Sequence, residues 1–168
     1  MSHEEYTAED LAQLRDTDLG DQQLIAMGEV AAWAARVERT LALVVASLIG
    51  GTPDTGALVT NGLPFNRLLE LGSQLATRRP EGDTVRKNIE RLGAPMRLAM
   101  ESRNHLLHGE WVPWSEGIAK ATLTRTRGTK EREFSVRAVE DVANDLTNLA
   151  NELFWLHLVA SGQIRAGD

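Results

Sequence analysis

Residues 103 to 111 read Arg-Asn-His-Leu-Leu-His-Gly-Glu-Trp, an arginine, a carboxamide and two imidazoles among leucines, with a glycine to stop the run. An arginine and a histidine close together beside apolar residues are enough for cleavage of a phosphodiester without a metal. The imidazole moves a proton, and the guanidinium holds the phosphate as its charge develops. In a helix, Asn104 and His108 lie four apart and share a face, so the amide can orient the ring or share a phosphate oxygen with it. Arg103 precedes His108 by five residues, about 140° away around the axis at ~100° per residue. Its side chain must bend round, or the two groups must meet across a two-fold axis with a second subunit. Gly109 suits a C-terminal cap, which leaves His108 in the last helical turn.

The segment that carries these groups runs from about Asp83, a plausible N-cap, with Val85, Ile89, Leu92, Met96, Ala99, Arg103 and Leu107 at steps of three and four. Pro95 inside it removes one helical hydrogen bond, and a kink near Gly93 is expected. Arg103 thus falls on or beside an apolar stripe, where an arginine must be paired or open onto a cleft or partner surface. Glu38 and Glu70 are the candidate partners of a purely structural Arg103. The bland alternative for His108 is a helix cap.

Other elements frame this segment. A helix from about Asp21 to Ile49 stops at Gly50-Gly51 and carries Met27, Val30, Ala34, Val37, Leu41, Val44 and Leu48 as one buried stripe. At ~1.5 Å per residue it is roughly 40 Å long, a length typical of bundles. Thr52-Pro53-Asp54-Thr55-Gly56 reads as a loop. Pro64 opens a helix to about Arg78, with Phe65, Leu68, Leu69, Gly72, Leu75 and Ala76 on its core side. Short strands are expected at Trp111–Trp114, Ile118–Arg127 and Glu131–Phe134. Ser135 caps a last helix to about Ser161, with Phe134 and Val139 placed as a hydrophobic staple. The fold class is all-α: an up-and-down four-helix bundle with a short β-hairpin or meander before the last helix. Residues 1–18 form a polar arm, in which Thr7 to Asp10 would cap a short helix, residues 19–162 one domain, and 163–168 a tail.

The chain has 168 residues, ordinary hydrophobic content (42%), no cysteine and a net charge of −6. Disulfides and thiolate metal sites are excluded. The acidic N-terminus lacks the apolar run of a secretory signal, and no stretch approaches a membrane span, so a soluble, cytoplasmic protein without membrane contact is expected. Charge is unevenly spread. Residues 1–60 hold ten acids against three bases, whereas residues 118–137 hold six bases against two acids. Lys120, Arg125, Arg127, Lys130 and Arg132 in that strip can hold a polyanion, or they are solvated surface charges.

The Arg103, Asn104 and His108 pattern resembles the active motif of the HEPN superfamily, the all-helical domains of many prokaryotic RNA-cleaving toxins and defence proteins. That motif is an arginine, a polar residue, three to five further residues and a histidine, near the end of the third helix of a bundle. The resemblance covers about ten residues as sequence and residues 20–160 as order of elements. It implies a homodimer whose paired motifs line a cleft, and a metal-independent endoribonuclease that leaves cyclic-phosphate ends. His108 would move protons, Arg103 would stabilise the phosphorane, and Asn104 would position the two. A toxin with a cognate antitoxin or neighbouring-gene partner, or an antiviral effector, is the implied setting. The alternative is a non-catalytic module of the same type that binds RNA, nucleotide or a protein. One subgroup carries a tyrosine two residues after the histidine for modification by a partner. That position is Glu110 here, and the only tyrosine is Tyr6.

His105 is an auxiliary substrate-binding candidate or a surface residue. A metal site built from His3, His105, His108 and His157 lacks an acidic ligand at a convincing spacing, so neither metal nor cofactor is expected. Trp111 and Trp114 read as packing between hairpin and helices rather than as base platforms. Trp33, Phe154 and Trp155 either cover the flanks or form a dimer surface.

Overall fold

The computed structural model describes residues 19–50, 53–79, 82–115, 118–125 and 128–165. The expected arm helix, His3 and Arg127 lie outside them. Among the described residues, five helices and one small sheet follow in order: α1 (Asp21–Ile49), α2 (Pro53–Thr60), α3 (Phe65–Ala76), α4 (Gly82–His108), β1 (Glu110–Ser115), β2 (Ile118–Arg125), β3 (Gly128–Ser135) and α5 (Val136–Ala160). None of the described helices is long and apolar enough to cross a membrane.

The termini follow local chemistry. Gln23 returns its side-chain oxygen to the Gly20 amide at 3.1 Å to start α1. Ser135 accepts from the Ala138 amide at 3.2 Å to start α5, with Phe134 and Val139 both buried beside it. α4 continues through Pro95 without interruption. The stretch read as a loop around Pro53 is instead α2, a two-turn helix laid against α1. This makes the motif-bearing helix fourth among the described helices, after one more than the sequence reading placed between α1 and it.

The core is one cluster, centred on Val30, Val37, Leu41 and Val44 of α1, Met96 and Leu106 of α4, and Leu146, Leu153 and Leu156 of α5. Each fully buried leucine contributes about 1.5–3 kcal/mol relative to exposure. α1 and α5 form the most extensive pairing. Ser47 and His157, both near the C-terminal ends of their helices, touch at 3.1 Å. With such broad contact, that pairing of ends requires α1 and α5 to run in the same direction. α4 runs opposite to α5: Ser102, near its end, meets Arg132 just before α5 begins, whereas Arg91 in its first half pairs with Glu152 in the second half of α5. The strict alternation expected of an up-and-down arrangement is therefore broken between α1 and α5.

The sheet is an antiparallel meander, β1-β2-β3, with β2 in the centre. Pro113 is accommodated on the edge strand β1, next to a register shift before Ser115. Along β2, Ala119, Ala121 and Leu123 are buried while Lys120 and Thr122 are not, so one sheet face packs on the helices.

Candidate functional site

The sheet grips the last two turns of α4. Lys130 binds the Glu101 carboxylate at 2.7 Å, and Arg132 donates to the Ser102 hydroxyl at 2.8 Å. Ser102 in turn donates to the Leu98 carbonyl. The Trp111 indole donates to the Leu106 carbonyl at 3.0 Å, satisfying one of the carbonyls that a helix end leaves unpaired. Trp111 also packs on Phe134 at 5.8 Å, and the Arg132 guanidinium lies over the same Phe134 ring. Both contacts support the packing role expected for Trp111. The side chain of Trp114 lies outside the described residues.

Gly109 has a different role from the one expected. Its backbone is not in the left-handed region of a glycine cap. Its amide continues the helical pattern to the His105 carbonyl at 3.0 Å. A side chain there would meet that carbonyl oxygen at 2.5 Å and Ala121 Cβ at 3.1 Å. The glycine lets the chain pass from α4 directly into β1 against the floor of the sheet.

Within this frame the motif residues take distinct positions. Arg103 is half-buried, and its Nη1 donates to Asn104 Oδ1 at 3.0 Å. The guanidinium therefore bends toward the side of the helix that Asn104 shares with His108. Neither expected carboxylate pairs with it. Glu70 binds Arg67, and among the described residues no carboxylate lies in ion-pair range of Arg103. Its Nε is buried without a hydrogen-bond partner. An arginine held by a neutral amide keeps its full charge available to an anion. His108 is exposed in the last turn.

His105 is buried, and its Nδ1 lies 2.9 Å from the Glu101 carbonyl. A carbonyl only accepts, so Nδ1 carries the proton and the ring is fixed in one tautomer. The Lys130 ammonium beside Glu101 holds that carboxyl below its usual range, by hydrogen bond first and charge second.

The basic strip read along the sequence is divided by the pleat. Lys130 and Arg132 stand on the helix-facing side, next to α4. Lys120 is on the other face, paired with Glu131 at 2.6 Å. Arg125 ends β2 opposite Gly128, and its side chain lies outside the described residues. The histidines are likewise dispersed, with His157 on Ser47 at the far end of α5. Among the described residues no three His, Asp or Glu side chains gather as metal ligands would. Sequence reasoning missed Ser102 and the Trp111 indole as supports of the motif.

Comparison with protein-family models, with curated proteins and with solved structures finds no match to this chain.

Proposed function

We propose that the protein is an endoribonuclease of the HEPN type, which cleaves RNA without a metal and acts as a homodimer with paired Arg103, Asn104 and His108 motifs. In this reading α1, α3, α4 and α5 form one four-helix bundle, with α1 and α5 parallel. The RNA 2′-hydroxyl attacks the adjacent phosphorus and the bond to the 5′-oxygen breaks, giving cyclic-phosphate and 5′-hydroxyl ends. His108 takes up the hydroxyl proton, and a proton passes to the leaving oxygen from the paired His108. Arg103, oriented by Asn104, stabilises the charge on the pentavalent phosphorus. Arg132, which has no carboxylate in ion-pair range among the described residues, contributes positive potential beside the site, with Lys130 next to it paired to Glu101. A toxin or antiviral effector acting in the cytoplasm, held in check by a cognate antitoxin or neighbouring-gene protein, fits such an activity.

The observation that carries the reading is Arg103 itself. It is half-buried, lacks a carboxylate, and bonds to Asn104 on the side of the helix that leads to His108. A buried arginine kept only for stability is ordinarily paired with an acid or has its donors satisfied, and Arg103 has neither a carboxylate nor a partner for Nε. A chimeric RNA tests the chemistry. Replacing the nucleotide 5′ to a mapped cleavage site by its 2′-deoxy form should abolish cleavage there, and continued cleavage would exclude 2′-hydroxyl attack.

The second reading, a module that binds RNA or nucleotide without cleaving it, is favoured by one feature. Among the described residues, no hydrogen bond within a single chain joins His108 to Arg103 or Asn104. Tight RNA binding with intact RNA would select it.

A further inference from the structure

Above the motif, α3 and α4 leave between them a groove of about 430 Å3. Leu69 and Ile89 form its apolar floor, and Gly93 leaves it open. Glu70, Gln74, Glu90 and Arg97 present polar groups along its rim. The volume lies within the ~300–1,000 Å3 of pockets that hold small organic groups.

Three relationships give the groove a direction. Glu90, Arg97 and Asn104 are spaced by seven residues, and His108 follows four later, so all four lie along one side of α4. At ~1.5 Å rise per residue, the Arg97 backbone lies about 10 Å along α4 from that of Asn104, a span of one or two nucleotides, and its guanidinium lies beside Gly93 in the groove. Arg97 has no carboxylate in ion-pair range among the described residues, whereas Glu70 and Glu90 are already neutralised by Arg67 and Arg86. Those paired carboxylates keep free lone pairs for hydrogen-bond donors.

Resting on the ribonuclease reading, we infer that this groove is a nucleotide subsite of the motif, with Arg97 on a backbone phosphate and an unstacked base lodged between α3 and α4. A base can enter only from a single strand, so the substrate is single-stranded RNA or a loop. The acceptors on the rim favour a base with an exocyclic amino group. Cytosine, adenine and guanine carry one and uracil does not. Gly93 is required because a larger side chain would occupy the space of the base.

The test is fluorescence anisotropy with labelled six-nucleotide 2′-O-methyl oligo(C) and oligo(U), which resist cleavage by 2′-hydroxyl attack. Wild type should bind oligo(C) about tenfold more tightly than oligo(U). Arg97→Ala should weaken both and reduce the slope of log affinity against log salt by about one. Gly93→Leu should erase the preference. Leucine favours helix over glycine, and an added Cβ at Gly93 finds only Arg97 Nη1, at 3.5 Å, within 4 Å. Equal binding of the two oligomers, with Arg97→Ala and Gly93→Leu unchanged, would overturn the subsite and leave the ribonuclease reading standing. Failure of wild type to bind either oligomer, with total RNA also left intact, would remove the ribonuclease reading and the subsite with it.

Discussion

Arg103 donates from Nη1 to the Asn104 carboxamide oxygen at 3.0 Å, one residue further along the same helix. Neighbouring residues in a helix point about 100° apart, so the bond records a guanidinium turned off its own radial direction. If that turn aims Arg103 at a phosphate, Asn104→Ala should lower cleavage by roughly 10-fold or more while sparing the fold. Asn104→Asp should be worse than Asn104→Ala, because a carboxylate would neutralise the arginine. Single-turnover cleavage rates, read beside thermal melts of the same variants, check both orders.

Trp111 caps α4 through its indole and packs on Phe134. Trp111→Phe keeps a six-membered aromatic ring but removes the hydrogen bond and the pyrrole half of the indole, which should cost about 1–2 kcal/mol. Trp111→Ala also empties the space between sheet and helix and should cost about 3–5 kcal/mol. Urea denaturation followed by circular dichroism separates the two. A Trp111→Phe variant as stable as wild type would mean that the indole nitrogen makes no contribution, and equal losses in the two variants would mean that the ring packing makes none.

Gly109→Ala places a methyl group 2.5 Å from the His105 carbonyl oxygen and should destabilise by about 1–3 kcal/mol. Because the strain falls beside His108, activity should drop further than the population of unfolded protein explains. Cleavage rate normalised to folded fraction gives the comparison.

Lys130 and Glu101 join β3 to α4, and the carboxyl is held below its ordinary value of 4.5. A carboxyl depressed in the folded state stabilises the fold above its unfolded value. That contribution is lost as pH falls through the lower folded value. Both side chains are largely exposed, so the pair should contribute no more than ~1 kcal/mol. Lys130→Met should therefore be slightly less stable than wild type at pH 7. The two should converge once the pH lies below the lowered value. A difference that persists in acid would place the effect in packing.

Much of the frame was legible because local chemistry and tertiary packing agree. The three- and four-residue stripe of α1, the Ser135 cap and the positions of the three strands all point to the structure that forms. α2 was hidden because Thr52 to Gly56 carries the residues of a turn. Its helix is set by tertiary contact, with Gly56 allowing close approach to Ala46. The same close approach explains Gly109, which sequence alone reads as a cap. The basic strip was misleading because charge was summed along the chain, while the pleat sends Lys120 to the opposite face from Lys130 and Arg132. The motif residues were visible by type and spacing. The turn of Arg103 toward Asn104 was not, because it depends on side-chain rotamers.

The most direct measurement is cleavage of total RNA in the presence of EDTA by wild type, Arg103→Ala and His108→Ala, with the ends of the products determined. If Arg103 holds the phosphate and His108 moves the proton, removing either should lower the rate by about 100-fold or more, and wild-type products should carry cyclic phosphates. Intact RNA with folded, dimeric wild type, or cleavage that both variants retain, would contradict the assignment of Arg103 and His108.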